Sequence, residues 1–546
     1  MITIKSAGDA ALLLETSDAG TGGQHGGNEA AAIAAAIRIA ALPGVIDVVP
    51  GAATVLVTFE PGSSPAARLT DRLAGLAAGA TAAAASGSGA PVVIDPVVID
   101  PVVIDTVYDG PDLASVATLS GLAKAEVIAR HQAAEYRVGW LGFAPGFGYL
   151  TGLDPALAVP RLDSPRLSVP AGSVAIAGGL AAVYPSASPG GWRLLGRTAA
   201  VMWDPARDPP ALLAPGQRVR FRAVGRLPAA RPQPGTDPER QECDQWVDVV
   251  QPGPLTTIQD LGRGGLAHLG VPTSGAADAP SLRLANALVG NDENEACLEV
   301  TLGRLALRFG FDAVVALTGA PAAIQFSGAA SGRGPEHQTA FGVPAGSLLR
   351  LGAPPAGLRS YLAIGGGVAV PPVLGSRSTD VLSGLGPPPL RPGQRLPVGR
   401  PRSLSGVAPG HLPAASARAT SPGGNAIELR VIAGPRDDWF IPAAMTALAS
   451  GSYEVTPASN RSGLRLAGPV LRRTSESELP SEGMAAGSLQ ISHDGQPILL
   501  LADHPTTGGY PVIGVVISAD LGVAAQLRPG QRIRFNVRPP QPASSR

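Results

Sequence analysis

One short ending occurs three times in this chain. It reads Leu213-Ala-Pro-Gly-Gln-Arg-Val-Arg-Phe221, then Leu527-Arg-Pro-Gly-Gln-Arg-Ile-Arg-Phe535, and in shorter form Leu390-Arg-Pro-Gly-Gln-Arg-Leu396. Proline fixes φ at the turn and glycine admits the backbone shapes other residues refuse. The apolar alternation after the turn is that of a strand. Three copies of one turn-and-strand unit imply three related β units, each closing a similar barrel. The 70 glycines and 55 prolines make up close to a quarter of the 546 residues, which fits many turns between short strands.

Composition narrows the function classes. Hydrophobic residues at 45% exclude wholesale disorder, and a formal net charge of zero gives no basic surface for nucleic acid or an anionic membrane. Lys5 and Lys124 are the only lysines, so no Gly-x-x-x-x-Gly-Lys-Ser/Thr phosphate loop exists. A bound phosphate would rest on arginine, backbone N–H groups or helix N-termini. Cys243 and Cys297 are too few for a disulfide framework, and no Cys/His cluster has zinc spacing. The start Met1-Ile-Thr-Ile-Lys5 lacks a signal-peptide core, and the Ala-rich stretch near Arg38 is too short to span a bilayer. The expected location is the cytoplasm.

Along the chain, residues 1–80 read as a small α/β unit, with an Ala-rich helix over 29–42 and strands at 45–49 and 54–59. Residues 81–105 read as a linker that carries Pro-Val-Val-Ile-Asp three times in tandem, the last copy running into the first strand of the next domain. Residues 106–225 form a β-rich domain with helices near 112–117 and 123–132. A Pro-rich linker over 226–246 leads to a β-barrel half over 247–400, a second linker over 401–425 and a last half over 426–538. The fold class is therefore mainly β with an α/β N-terminal part.

The densest stretch is Gly142-Phe-Ala-Pro-Gly-Phe-Gly-Tyr-Leu150, followed by Val169-Pro-Ala-Gly-Ser-Val-Ala-Ile-Ala-Gly178 and by Ser188-Pro-Gly-Gly-Trp192 up to Thr198. Such runs build rigid loop surfaces where binding sites often lie. They resemble the signature of allophanate hydrolase subunit 1, the Kip-inhibitor family to which the B subunits of 5-oxoprolinase belong. Downstream, Thr256-Thr-Ile-Gln-Asp-Leu-Gly-Arg263, Gly270-Val-Pro-Thr-Ser-Gly275, Leu288-Val-Gly-Asn291, Tyr361-Leu-Ala-Ile-Gly-Gly-Gly367, Leu374-Gly-Ser-Arg-Ser-Thr379 and Asp503-His-Pro-Thr-Thr-Gly-Gly-Tyr510 resemble the allophanate hydrolase subunit 2 family, the Kip-antagonist family of the 5-oxoprolinase C subunits. The resemblance implies cyclophilin-like β-barrel domains in tandem.

The candidate residues lie in these motifs. In the first part, Gly142, Phe143, Pro145, Gly146, Phe147 and Tyr149 line a loop surface. His131 either serves as acid or base or is a packed histidine, and Arg197 with Thr198 either holds an anion or forms a structural pair. Ser173 lies in a Pro-Ala-Gly-Ser turn outside any nucleophile elbow. In the second part, Thr257, Gln259, Asp260 and Arg263 either meet a polar ligand or tie their own loop. Ser274 and Asp278, and the cation and hydroxyls of Arg377, Ser378 and Thr379, form two more polar clusters. Near the C-terminus, Glu482, Gln490 and Asp503 stand with Thr506, Thr507, Gly508, Gly509 and Tyr510, a candidate anion cradle.

The resemblance implies a fused B–C component of ATP-dependent 5-oxoprolinase, which opens 5-oxo-L-proline to L-glutamate together with a separate A subunit. His131, Arg197, Asp260, Arg263 and Arg377 would be its catalytic candidates. The cofactor would be ATP with Mg, without covalently attached biotin, since neither lysine has the methionine neighbours of a biotinyl site. The expected partners are the A subunit and a small-molecule substrate, with a homo-oligomer also compatible, and neither nucleic acid nor membrane. Two alternatives stay open: a biotin-dependent carboxyltransferase component of urea carboxylase, and a regulator that binds a sensor histidine kinase. The expected ligand site is a cleft between the subunit 1 and subunit 2 parts.

Overall fold

A computed structural model describes residues 2–16, 26–62, 66–85, 101–228, 244–328, 332–333, 335–401, 426–475, 477 and 479–538. Cys243 and the first two Pro-Val-Val-Ile-Asp copies lie outside the described residues. Among the described residues, no helix is long and apolar enough to cross a membrane.

The three repeated turns are the same turn. Gly216, Gly393 and Gly530 all have φ near +80°: 84°, 78° and 86°. In each, the following glutamine side chain accepts a hydrogen bond from a backbone N–H three residues earlier: Gln217 from Ala214 (3.1 Å), Gln394 from Arg391 (3.1 Å) and Gln531 from Arg528 (2.7 Å). The glycine N–H groups donate to Val138, Val249 and Val455. Each turn feeds a strand: Arg218–Ala223, Arg395–Pro397 and Arg532–Arg538.

Two of the three units share one topology. In the C-terminal unit, Ile427–Ala433 pairs in parallel with Arg532–Arg538, and seven strands close into a barrel. In the first unit, Val102–Thr106 pairs in parallel with Arg218–Ala223 at the edge of a seven-stranded sheet with the same strand order. The Val107–Arg197 bridge joins its two ends. Both interiors are Leu/Val/Ile-rich, with Phe221 and Phe535 at matching places after the turn.

The middle unit differs from the expected barrel. Its strands form a six-stranded and a five-stranded sheet over one core, in which Val247, Val249 and Leu307 of one sheet meet Leu298, Val300, Leu317 and Leu362 of the other. Alternating apolar residues on both sheets require two faces that meet, which is sandwich packing. At the N-terminus, strands Thr3–Ser6, Ala11–Glu15, Val45–Pro50 and Thr54–Phe59 form an antiparallel sheet packed on helices Gly26–Ala40 and Ala66–Ala85. The second helix runs past Thr81, where the linker was expected to begin, because alanine is the strongest helix former.

The third Pro-Val-Val-Ile-Asp copy supplies the strand Val102–Thr106, with Ile104 fully buried. One copy fills one strand slot. Deleting residues 91–100 is therefore expected to shift Tm by no more than about 2 °C. A loss of several degrees in a thermal melt would show that the extra copies carry structure.

Candidate functional site

The glycine-rich run over 142–150 is where three domains meet. Its aromatics pack into a closed cluster: Trp140 and Tyr149 stack with centroids 4.6 Å apart, and Phe147 sits edge-on to Tyr149, Tyr184 and Trp192. Its glycines permit close approach. A Cβ on Gly142 would lie 2.6 Å from Thr507 Cγ2, and one on Gly270 would lie 2.2 Å from the Ala144 carbonyl oxygen. Gly146 N–H donates to the Leu269 carbonyl (3.0 Å). The Tyr149 hydroxyl shares hydrogen bonds with Thr507 Oγ1 (3.1 Å) and with the Ser481 hydroxyl (3.4 Å). The first barrel thus touches the sandwich at 269–270 and the last barrel at 481 and 507.

The N-terminal domain closes the same junction. Ala52 N–H donates to the Ser481 carbonyl (2.8 Å), Asp47 accepts from Ala267 N–H (2.9 Å), and Asp9 accepts from Ser518. Glu482 and Thr507 lie on a short antiparallel ladder, Glu482 opposite Gly508 and Gly483 opposite Thr507. Glu482 Oε2 accepts from Arg436 Nε (2.9 Å) and Nη2 (2.6 Å), and Arg436 Nη1 reaches Glu15 of the N-terminal sheet. Lys5 pairs with Glu15 at 3.3 Å. Burial pushes the Glu482 carboxyl above its ordinary range, and Arg436 opposes that shift.

Two cavities open at the junction. One of about 10 Å³ is lined by Phe143, Pro145, Ser188, Pro272, Leu382 and Ser383. The other, about 80 Å³, lies between the N-terminal domain and the last barrel, with Thr54, Arg436, Trp439, Ser481 and Glu482 on its walls. The first has room for a single water and the second for several. Phe143, a wall of the smaller cavity, has φ +65°, a conformation that a bulky residue keeps only where its surroundings enforce it.

The polar motifs of the second part are bonded largely to one another. Asp260 Oδ1 accepts from Ser376 Oγ (2.6 Å), Ser378 Oγ (2.5 Å) and Gly262 N–H (2.8 Å), and Oδ2 accepts from Arg377 N–H (2.6 Å). Arg377 Nε donates to the Val370 carbonyl (2.8 Å). Gln259 Nε2 donates to Thr257 Oγ1 and the Thr379 carbonyl. Among the described residues, Gln259 Oε1 and Thr379 Oγ1 are left without a partner, and Arg263 is left with two such atoms. It is 3% exposed and Nη2 bonds the Ser378 carbonyl, yet Nε and Nη1 have no partner among the described residues. Burial lowers its pKa, against the pull of Asp380, Asp260 and Asp503.

A second network ties the sandwich to the last barrel. Arg461 donates to Asp503 from Nε (2.8 Å) and Nη2 (2.9 Å), to Glu299 from Nη1, and to the Gly275 carbonyl. Ser274, at φ +53°, donates to Asp503 (2.6 Å), and Tyr361 donates to Glu299 (2.8 Å). Asp278 accepts from Gln526 Nε2 (2.8 Å) and from Ser281. Although burial pushes Glu299 up, Arg461 and Arg359 more than offset it and hold its carboxyl below the usual range.

This four-domain arrangement has known counterparts. The carboxyltransferase domain, subdomains A and B, matches residues 269–537, and subdomains C and D match 2–213. The C subunit of Escherichia coli 5-oxoprolinase is 41% identical over 292 residues, covering 53% of this chain and 90% of that protein. The chain belongs to the carboxyltransferase-domain family. The B subunit of an Escherichia coli 5-oxoprolinase is 54% identical over 112 residues, 20% of this chain and 51% of that protein. Saccharomyces cerevisiae urea amidolyase is 33% identical over 309 residues, 53% of this chain but 16% of that protein. The crystal structure of TTHA0988 superposes with a TM-score of 0.80 at 34% identity, covering 98% of this chain and 100% of that one.

Within this carboxyltransferase-domain chain, the expected residues divide into two groups. Residues 142–149, Glu482, Thr507, Gly508 and Gly509 converge on the junction, where Gly509 lies against the Arg161 guanidinium. Gln490 borders them, donating to Met484 Sδ (3.1 Å) and the Tyr510 carbonyl (3.3 Å). Thr506 is buried, with its hydroxyl unpartnered among the described residues. Four other expected residues, Arg197, Thr198, Ser173 and His131, bond elsewhere. Arg197 is exposed and bonded to Asp109 (2.8 Å), while the Ser173 and Thr198 hydroxyls bond to Pro170 and Ala200 close by in sequence. His131 is enclosed in the first barrel, its Nδ1 2.8 Å from the Tyr108 hydroxyl and its ring 4.5 Å from Phe221. Burial lowers its pKa to about 3, so it stays neutral near neutrality.

Several junction residues carry no motif. Thr54, Trp439 and Ser481 line the larger cavity, and Arg436 and Arg461 hold buried carboxylates. Their sequence signal is weak: Arg436 follows Gly434-Pro435, and Arg461 lies in an Asn-Arg-Ser-Gly turn.

Proposed function

We propose that this chain is the fused B–C component of an ATP-dependent 5-oxoprolinase, acting with a separate A subunit to convert 5-oxo-L-proline to L-glutamate. One observation carries the reading: segments similar to the B and C subunits of 5-oxoprolinase stand in a single polypeptide, and their motifs meet at one junction. The urea amidolyase match supports the broader carboxyltransferase lineage but covers a small share of that protein.

The lactam is resonance-stabilised, so its opening needs activation of the carbonyl oxygen, which ATP supplies by phosphorylation when bound. Among the described residues, Arg263 fits an anionic group best, because its planar fork is buried and two nitrogens are unpartnered. Its part would be to hold and orient that group. The junction's burial strengthens each charge interaction there.

The test mixes the purified chain with the A subunit from the same source, ATP and 5-oxoproline. Glutamate should form only when both proteins are present, and adding bicarbonate or biotin should not change the rate. Glutamate formation by the A subunit alone, or a bicarbonate requirement, contradicts the reading.

A further inference from the structure

The larger cavity is the strongest place for a small ligand. Its walls combine an apolar side, Trp439, Leu479 and Pro480, with a polar side, Thr54, Ser481, Glu482 and Arg436. The polar side is incompletely bonded. Glu482 is 1% exposed and Thr54 is 3% exposed, yet Glu482 Oε1 and Thr54 Oγ1 have no partner among the described residues. A buried carboxylate oxygen and a buried hydroxyl without partners are costly, and such atoms are normally satisfied by a ligand or by ordered water. Arg436 uses three of its N–H groups on Glu482 and Glu15, and a guanidinium has five. Among the described residues, two Arg436 N–H donors are therefore left over on the wall that also carries the two unpartnered acceptors.

That set fits a compact molecule that offers an N–H donor and an anionic group on one apolar ring. The N–H suits Glu482 Oε1 or Thr54 Oγ1, a carboxylate suits the two Arg436 N–H groups not spent on Glu482 and Glu15, and the ring suits Trp439. We infer that the cavity between the N-terminal domain and the last barrel binds a cyclic amide acid, with Glu482, Thr54 and Arg436 as its polar contacts. This assignment rests on the 5-oxoprolinase reading and gives that reading a pocket. The neighbouring Ser481–Tyr149–Thr507 hydroxyl chain connects the pocket to the Gly142 loop, so the domain arrangement at the junction sets its shape.

The probe is 5-oxo-L-proline, titrated calorimetrically into the full chain, with its N-methyl analogue as the ligand lacking the N–H. Wild type should bind 5-oxoproline and lose at least about tenfold in affinity for the analogue, the equivalent of one lost hydrogen bond. Thr54→Val keeps the side-chain shape and removes an unpartnered hydroxyl, so its Tm should stay level or rise while affinity falls about tenfold. Glu482→Gln should also weaken binding. If wild type and both variants bind alike, or the analogue binds as well as 5-oxoproline, the pocket assignment is overturned and the 5-oxoprolinase reading stands. Failure of wild type to bind also overturns it, and glutamate release with the A subunit then decides the reading independently.

Discussion

Arg461→Met should cost this protein about 3–5 kcal/mol, the usual effect of removing one partner from a buried ion pair. The variant leaves Glu299 and Asp503 as buried carboxylates, 1% and 0% exposed, without their main cation. Thermal melting should show the sandwich and the last barrel separating early, since Arg461 joins Glu299 of one to Asp503 of the other. Replacing both carboxylates by apolar residues as well should recover most of the loss, because it removes the stranded charges. The pH dependence has a fixed sign. Glu299 is held below its ordinary range in the fold, so its contribution is present above the unfolded value near 4 and is lost as pH falls through the lowered one. Wild type should therefore approach the variant only in acid, and an equal gap at pH 3 and pH 7 would contradict this account.

Gly270→Ala should be nearly as damaging, for a geometric reason. Gly270 has φ +78°, where an L-side chain costs about 1–2 kcal/mol. The added methyl would also sit 2.2 Å from the Ala144 carbonyl oxygen, a backbone atom that cannot swing aside. With overpacking included, the loss should be roughly 2–5 kcal/mol, concentrated at the contact between the first barrel and the sandwich. Limited proteolysis should cut the variant faster than wild type. An unchanged cleavage rate and Tm would show that this contact does not hold the junction.

The local features of the fold are legible from sequence. A Pro-Gly-Gln-Arg turn is specified by its own residues, and all three copies bond identically. The parallel pairing that closes two of the units needs partners over 100 residues apart and has no local signal. The middle unit carries the turn without the barrel, because two apolar faces prescribe packing between sheets and not closure of one sheet. The site is half legible for the same reason. Glycine-rich runs mark where backbones touch, as at Gly142 and Gly270. Polar motifs such as Asp260 with Ser378 have the composition of ligand groups, but their hydrogen bonds are mostly spent on each other. The residues that bind the domains together, Arg436 to Glu15 and Arg461 to Glu299, are 421 and 162 positions apart, and one sequence does not pair them.

The most direct measurement of the central claim is the ratio of ADP to glutamate formed from 5-oxoproline when this chain is mixed with a 5-oxoprolinase A subunit from the same source. The account predicts one ADP per glutamate, no glutamate without ATP, and no turnover when either protein is omitted. ADP release that is not matched by glutamate, or glutamate formed at the same rate without this chain, would contradict it.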